Sequence, residues 1–164
     1  MLHYFSDCIS PRVVSGNYYD SHEGFEDGYI VEKLLVHNQP EDLFTYWLGP
    51  EMSEAEFVLD LCQRDVIKTL RMVNTHNSLT KDRSAKEFKV YMSNDYRTNE
   101  TLVLHDTLED SRKQSPLPVL DFPIAPTRKR YIRFEMLSFW SEENGGGGGG
   151  LQYFAALPGQ HFKF

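Results

Sequence analysis

Short segments in which apolar and polar residues alternate recur along this chain of 164 residues. Residues 56–61 show the pattern most clearly, because Phe57, Leu59 and Leu61 fall on one face, as in a half-buried β-strand. The same alternation, or a short apolar run bounded by turn residues, predicts strands over residues 66–73, 88–92, 102–105, 119–122, 131–137 and 151–157.

The other segments are less regular. Residues 66–73 also fit a short helix, because they contain neither glycine nor proline. Residues 41–50 are either a strand or an aromatic loop, and the turn-rich residues 1–30 are predicted to form irregular loops around a core. Pro123 and Pro126 are expected to end the fifth strand.

Six or more short strands without a convincing amphipathic helix predict an all-β sandwich or barrel with less than about a tenth helix. We expect a single domain over residues 1–164. Six consecutive glycines at 145–150 offer no side chain to pack and cost backbone entropy to order. They are predicted to form a flexible loop within that domain.

The acidic charge of the chain limits the classes of partner that it can bind. A net charge of −7 and a pI of about 5.3 oppose binding to a phosphate backbone, so we expect no nucleic acid partner. The short basic run at 128–130 is predicted to be a solvated turn. The same acidity disfavours anionic lipid, and no stretch approaches the ~20 apolar residues of a membrane helix, so membrane insertion is not expected.

Two cysteines, Cys8 and Cys62, leave a disulfide and two free thiols equally open. Residues 1–10 lack the pattern of a signal peptide. The compartment therefore stays open: extracellular or cell surface if this is a mature fragment, and cytoplasmic if it is the full chain.

An ordered set of short motifs resembles the discoidin, or coagulation factor 5/8 type C, family of galactose-binding-like domains over residues 15–157. The motifs are Asp27-Gly28, Trp47, Leu59-Asp60-Leu61, the segment 73–77 with Asp82-Arg83, the strand and turn at 88–95, and the strand at 130–134. The resemblance implies a jelly-roll β-sandwich of two antiparallel sheets. The chain departs from the family at Cys62, where glycine is usual, and the family's terminus-linking disulfide is not reproduced.

By resemblance, the chain is a non-catalytic module that binds carbohydrate or a cell-surface ligand through loops at one end of the sandwich. The alternative is a protein-interaction or scaffold subunit of a larger intracellular assembly. Neither a G-x-S-x-G nor an H-E-x-x-H motif is present, and no catalytic residue is assigned.

The candidate ligand-binding residues are aromatic side chains of the loops and polar side chains after the second predicted strand. Aromatic rings can stack on sugar faces, and amide, imidazole and guanidinium groups can bond polar ligands. The alternatives are core packing for the aromatic residues, and hydrogen bonds within the loop for the polar ones, Asn74 and Thr75 included. The candidates are Tyr18, Tyr19, Tyr46, Trp47, His76, Asn77, Arg83 and Trp140.

A structural Ca²⁺ is a further implication of the resemblance, and no other cofactor is expected. Asp20, Glu23, Glu26 and Asp27 offer the hard oxygen ligands that Ca²⁺ prefers, with Asp20 and Asp27 as the first candidates. A solvated acidic loop is the alternative, because these residues lack D-x-D-x-D-G spacing.

Overall fold

The computed structural model describes residues 10–19, 30–35, 46–50, 55–62, 65–75, 84–111, 116–140 and 148–158. Within these residues the chain forms nine strands and one short 3₁₀ helix, Val31–Leu35. The strands are β1 (Arg12–Gly16), β2 (Trp47–Leu48), β3 (Ala55–Asp60), β4 (Ile67–Asn74), β5 (Glu87–Ser93), β6 (Thr101–Thr107), β7 (Val119–Thr127), β8 (Tyr131–Met136) and β9 (Gly150–Leu157).

The strands pair into two antiparallel sheets. One sheet has five strands in the order β1-β3-β8-β5-β6, and the other has four in the order β2-β9-β4-β7. Neighbours in each sheet are mostly distant in sequence, as in a jelly roll, where the chain crosses between sheets. The prediction of an all-β jelly-roll sandwich is therefore confirmed.

Aromatic rings fill the space between the two sheets. The Phe57 and Phe134 rings stack with centroids 5.1 Å apart, and Phe88 stacks on the other side of Phe134 at 5.4 Å. Trp47 meets Phe57 edge-on at 5.2 Å, and Phe154 of the second sheet meets Phe57 edge-on at 5.3 Å. Buried side chains at alternate positions of β5 and β8 confirm the two-residue period seen in the sequence.

Several sequence predictions require correction. Residues 12–16 form strand β1, although they lie within the segment predicted as irregular loop. β1 is a five-residue edge strand whose register shifts between Val13 and Ser15, so its alternation is too short to be recognised in the sequence. The strand predicted over 66–73 is confirmed as β4, which begins at Ile67, and the alternative of a short helix is not observed. β7 continues through Pro123 and Pro126, because it is an edge strand and its outer N–H groups need no partner.

The glycine run is ordered where the structure describes it. Gly150 begins β9 opposite Leu48, and Gly149 accepts a hydrogen bond from Gly49 N–H at 2.9 Å. A Cβ on Gly150 would lie 1.8 Å from the Trp47 carbonyl oxygen, so only glycine fits there. The flexible loop predicted for 145–150 therefore does not include residue 150, and residues 145–147 lie outside the described residues.

Cys62 follows β3 at the position where the discoidin family usually has glycine. Its φ of 63° is the left-handed conformation that glycine adopts most easily. The Cys62 N–H donates to Asp60 Oδ1 at 2.9 Å, which supports this conformation. Cys62 is disulfide-bonded, and the other cysteine of the chain, Cys8, lies outside the described residues. In the described part of the chain, no helix is long and apolar enough to cross a membrane.

Candidate functional site

The sandwich has two chemically different ends. The first, called the loop end here, is where β4, β6 and β8 finish and where β3, β5, β7 and β9 begin, as the pairs Ala55↔Met136 and Glu87↔Thr107 show. The second, called the Asp60 end, holds the start of β1 and the end of β9, with Arg12 opposite Asp60 and Thr69 opposite Leu157.

Asn74 organises the loop end from a fully buried position at the end of β4. Its Oδ1 accepts hydrogen bonds from the N–H groups of Thr75 and Ala85, both at 2.9 Å. Its Nδ2 donates to the carbonyls of Ala85 at 2.8 Å and Glu109 at 3.1 Å. The predicted alternative for this segment, hydrogen bonding within the loop, is correct for Asn74.

Two buried serines complete this arrangement. The Ser84 hydroxyl donates to the Thr75 carbonyl at 2.7 Å. The Ser111 hydroxyl lies 2.7 Å from Ser84 Oγ and 3.1 Å from the same carbonyl, so it can donate to either. We call Asn74, Ser84 and Ser111, with the Thr75 carbonyl, the Asn74 network. Its side chains are neutral and fully buried.

Trp140 is hydrogen-bonded to residues in and next to the Asn74 network. Its main-chain N–H donates to the Ser84 carbonyl at 2.9 Å, and its indole Nε1 donates to the Leu108 carbonyl at 3.0 Å. The Lys86 ammonium lies 4.7 Å from the ring centroid, within cation–π range. The Trp140 side chain is half-buried, so part of it faces solvent at the loop end. Its candidacy as a ligand contact remains a prediction.

Tyr18 and Tyr19 reach the loop end from β1. The Tyr19 N–H donates to the Leu48 carbonyl at 2.8 Å, and Asn17, just before them, exchanges hydrogen bonds with Glu56 near the start of β3. Tyr18 is 43% exposed and Tyr19 is half-buried. Tyr18 therefore presents the larger free surface of the two.

Tyr46 and Trp47 are core residues, and their prediction as ligand contacts is corrected. Tyr46 is 1% exposed and Trp47 is 0% exposed, so neither side chain offers surface to a ligand. The Trp47 indole N–H donates to the Asn17 carbonyl at 2.8 Å, which satisfies its one polar group within the fold. Burial of large aromatic residues between the sheets explains the difference.

The remaining candidates lie outside the described residues. His76, Asn77 and Arg83 fall between Thr75 and Ser84, the two ends of one loop-end connection. The Ca²⁺ candidates Asp20 and Asp27 also fall outside. Within the described ranges, no group of three His, Cys, Asp or Glu side chains is placed to hold a metal ion.

The Asp60 end is held by charge. Asp60 is 1% exposed, and its carboxylate accepts two hydrogen bonds from Arg130, at 3.1 and 2.9 Å, and one from Arg12 at 3.3 Å. Burial opposes ionisation, but the hydrogen bonds from Arg130 and Cys62 N–H and the nearby cationic charges outweigh it and lower the pKa of Asp60. The basic run 128–130 connects β7 to β8, but the prediction of a solvated turn is wrong for Arg130, because its guanidinium pairs with the buried carboxylate of Asp60.

A cavity of about 320 Å³ also lies at the Asp60 end, between the sheets. Its lining is mostly aliphatic and aromatic, with few hydrogen-bonding side chains, and includes Pro11, Leu35, Leu59, Leu61, Tyr153 and Phe154. It is separate from the predicted ligand contacts that the structure describes.

Sequence reasoning missed Ser84 and Ser111. Their partner, the Thr75 carbonyl, is 36 residues away from Ser111 in sequence, and serines in polar segments look like ordinary loop residues. Only Asn74 carried a signal, because an amide at the end of an apolar strand must find hydrogen-bond partners when it is buried.

The two antiparallel sheets and their strand order are those of a jelly roll. The family model of the F5/8 type C domain matches residues 17–149, and the chain belongs to this family. A search of curated proteins finds no match.

Similar solved structures have the same fold at low identity. The C-terminal domain of a chitobiase from Bacteroides fragilis superposes with a TM-score of 0.68 at 14% identity, covering 92% of this chain and 94% of that one. CpGH89CBM32-5 from Clostridium perfringens, solved with GalNAc-β-1,3-galactose, gives 0.66 at 12%, covering 88% and 92%. The family 32 carbohydrate-binding module of Streptococcus pneumoniae EndoD gives 0.63 at 13%, covering 92% and 97%.

Proposed function

We propose that this chain is a non-catalytic carbohydrate-binding module whose loop end holds a glycan. The observation that carries the proposal is the combination of exposed or half-exposed aromatic side chains, Tyr18 and Trp140, with connections whose ends are joined by the Asn74 network. Aromatic rings supply an apolar face for a sugar, and ligand contacts that are held in place before binding avoid an entropy cost. Family membership and neighbours named as carbohydrate-binding modules support the same conclusion.

The loop end suits a sugar better than the cavity at the Asp60 end does. The cavity lining is mostly apolar, whereas a sugar presents hydroxyl groups that need hydrogen-bond partners. At the loop end, the side chains of the Asn74 network already form hydrogen bonds with main-chain groups, so catalysis there would need other residues. His76, Asn77 and Arg83 are the polar ligand contacts that we propose from the sequence.

The alternative, a scaffold subunit inside a cell, rests partly on free thiols. The disulfide of Cys62 removes that support, because disulfides persist mainly in oxidising compartments. We therefore favour an extracellular or cell-surface glycan as the ligand.

A glycan array followed by calorimetric titration tests the proposal, with lactose and N-acetylgalactosamine as first probes. Tyr18→Ala is the variant at the loop end, and Tyr96→Ala at the Asp60 end is its control. The two tyrosines are almost equally exposed, at 43% and 42%. Loss of one aromatic contact should weaken binding about tenfold for Tyr18→Ala only. Folded wild-type protein that binds no glycan at millimolar concentration would refute the proposal.

A further inference from the structure

We propose that Asn74, Ser84 and Ser111 are positioning residues that fix the ligand-binding geometry of the loop end. The inference rests on the proposed function, because it concerns the same end of the sandwich. It goes further by assigning a role to three buried side chains that no ligand can touch, since all three have 0% exposure.

The first step concerns the connection between β4 and β5. This connection leaves the sandwich at Thr75 and returns at Ser84, and the Ser84 hydroxyl donates to the Thr75 carbonyl. Asn74 Oδ1 accepts from the N–H groups on both sides, Thr75 and Ala85. The two ends of the segment 76–83 are therefore held at one point, whatever the conformation of the segment itself.

The second step links this point to the other loop-end connections. Asn74 Nδ2 donates to the Glu109 carbonyl, and Ser111 bonds the Thr75–Ser84 pair, so the connection after β6 is attached. Ser84 also accepts from the Trp140 N–H and forms a bridge with Gly150, so the connection between β8 and β9 is attached as well.

The third step is physical. A buried, neutral and directional network has few alternative arrangements, because each unmade hydrogen bond of a buried group is costly. Three connections that meet at such a network cannot move independently. Removal of one hydroxyl should loosen their relative positions and so the spacing of side chains that contact a glycan, while the sandwich itself persists on its aromatic core.

Ser84→Ala and Ser111→Ala test the inference, with Ser93→Ala as the matched control. Ser93 is also a buried serine whose hydroxyl donates to a carbonyl, that of Asp95 at 2.6 Å, but it lies at the Asp60 end. Each variant is titrated with the best glycan from the array. Acrylamide quenching of tryptophan fluorescence gives a second measurement: Trp47 is fully buried, so the quenchable signal comes from Trp140, which Trp140→Phe verifies.

We expect Ser84→Ala and Ser111→Ala to bind the glycan about five- to tenfold more weakly and to show faster quenching of Trp140. Ser93→Ala should lose similar thermal stability without either change. If Ser84→Ala does not fold, Ser111→Ala still tests the inference, because Ser84 keeps its own bond to Thr75.

Wild-type affinity and wild-type quenching in both loop-end variants would overturn the inference, as would an equal loss of affinity in Ser93→Ala. If the wild-type protein binds no glycan, the proposed function fails. In that case the quenching rates alone decide whether the network positions Trp140, and unchanged rates would overturn the inference as well.

Discussion

The two ends of the sandwich stabilise their buried polar groups differently, one by neutral hydrogen bonds and the other by ion pairs. At the loop end, Asn74 satisfies two N–H groups and two carbonyls without any charge. At the Asp60 end, a carboxylate with 1% exposure is neutralised by Arg130 and Arg12, whose side chains are 32% and 57% exposed. The Asn74 network joins backbone groups through side chains that do not ionise, whereas the Asp60 pairs depend on an ionised carboxylate and on two arginines that are partly exposed to solvent.

The largest effect should come from Asn74→Ala. The variant leaves the N–H groups of Thr75 and Ala85 and the carbonyls of Ala85 and Glu109 without these hydrogen bonds. At about 1–3 kcal/mol for each unsatisfied buried group, with partial relaxation, we expect a loss of about 4 kcal/mol in the free energy of unfolding. Urea denaturation measures it. The exposed Asn94 gives the control Asn94→Ala, which should change stability by less than about 0.5 kcal/mol.

A loss in Asn74→Ala as small as that expected for Asn94→Ala would remove the distinction between the two asparagines. It would mean that the buried amide of Asn74 is replaced by water without cost, and the contrast between the ends would then have no energetic content.

Asp60→Asn should have an intermediate effect. It keeps the shape of the side chain but removes the charge that pairs with Arg130 and Arg12. We expect a loss of about 2 kcal/mol at pH 7, smaller than at Asn74 because both arginines can turn to solvent. Asp121→Asn, at an exposed ion pair, is the control and should lose less than about 1 kcal/mol.

The pH dependence of these variants separates the two ends. The pKa of Asp60 is lower in the folded state than its ordinary value of about 3.9, so its contribution is fully present above that value. The contribution is lost as the pH falls through the lower folded pKa. The stability difference between wild type and Asp60→Asn should therefore shrink below about pH 4, whereas that of Asn74→Ala should stay constant. Equal pH profiles would contradict the distinction between an ionised buried carboxylate at Asp60 and the neutral buried groups of the Asn74 network.

The smallest effect should come from Arg71→Gln. Arg71 and Asp121 form two hydrogen bonds, at 2.8 and 2.9 Å, on the outer face of the four-stranded sheet. Their side chains are 37% and 46% exposed, so we expect a loss of about 0.5 kcal/mol or less that fades with added salt. Chemical denaturation at low and high ionic strength checks this. A loss as large as that of Asp60→Asn would show that burial is not what distinguishes the Asp60 pair.

Features that depend on neighbouring residues in the sequence could be predicted, whereas features that depend on contacts between distant residues could not. The strands β3, β5 and β8 were readable because alternation is a local pattern, and the aromatic residues of that pattern meet in the core. The edge strands β1 and β7 were misjudged. The register of β1 shifts within five residues, which leaves little alternation to recognise, and the two prolines of β7 are tolerated because one side of an edge strand is unpaired.

The candidate site shows the same limit. An aromatic residue in a loop-like segment is compatible with a ligand contact or with the core, and only packing placed Trp47 inside and Tyr18 outside. Ser84 and Ser111 were invisible as a pair, because their 27-residue separation carries no periodic signal.

By itself, the sequence determined the all-β class, the inward faces of the main strands and the family, because these follow from two-residue alternation and from motifs in order along the chain. Tertiary structure decided which polar and aromatic side chains meet at which end. The reason is physical: contacts such as Ser111 with Ser84, or Asp60 with Arg130, join residues that become neighbours only when strands distant in sequence come together in the folded sandwich.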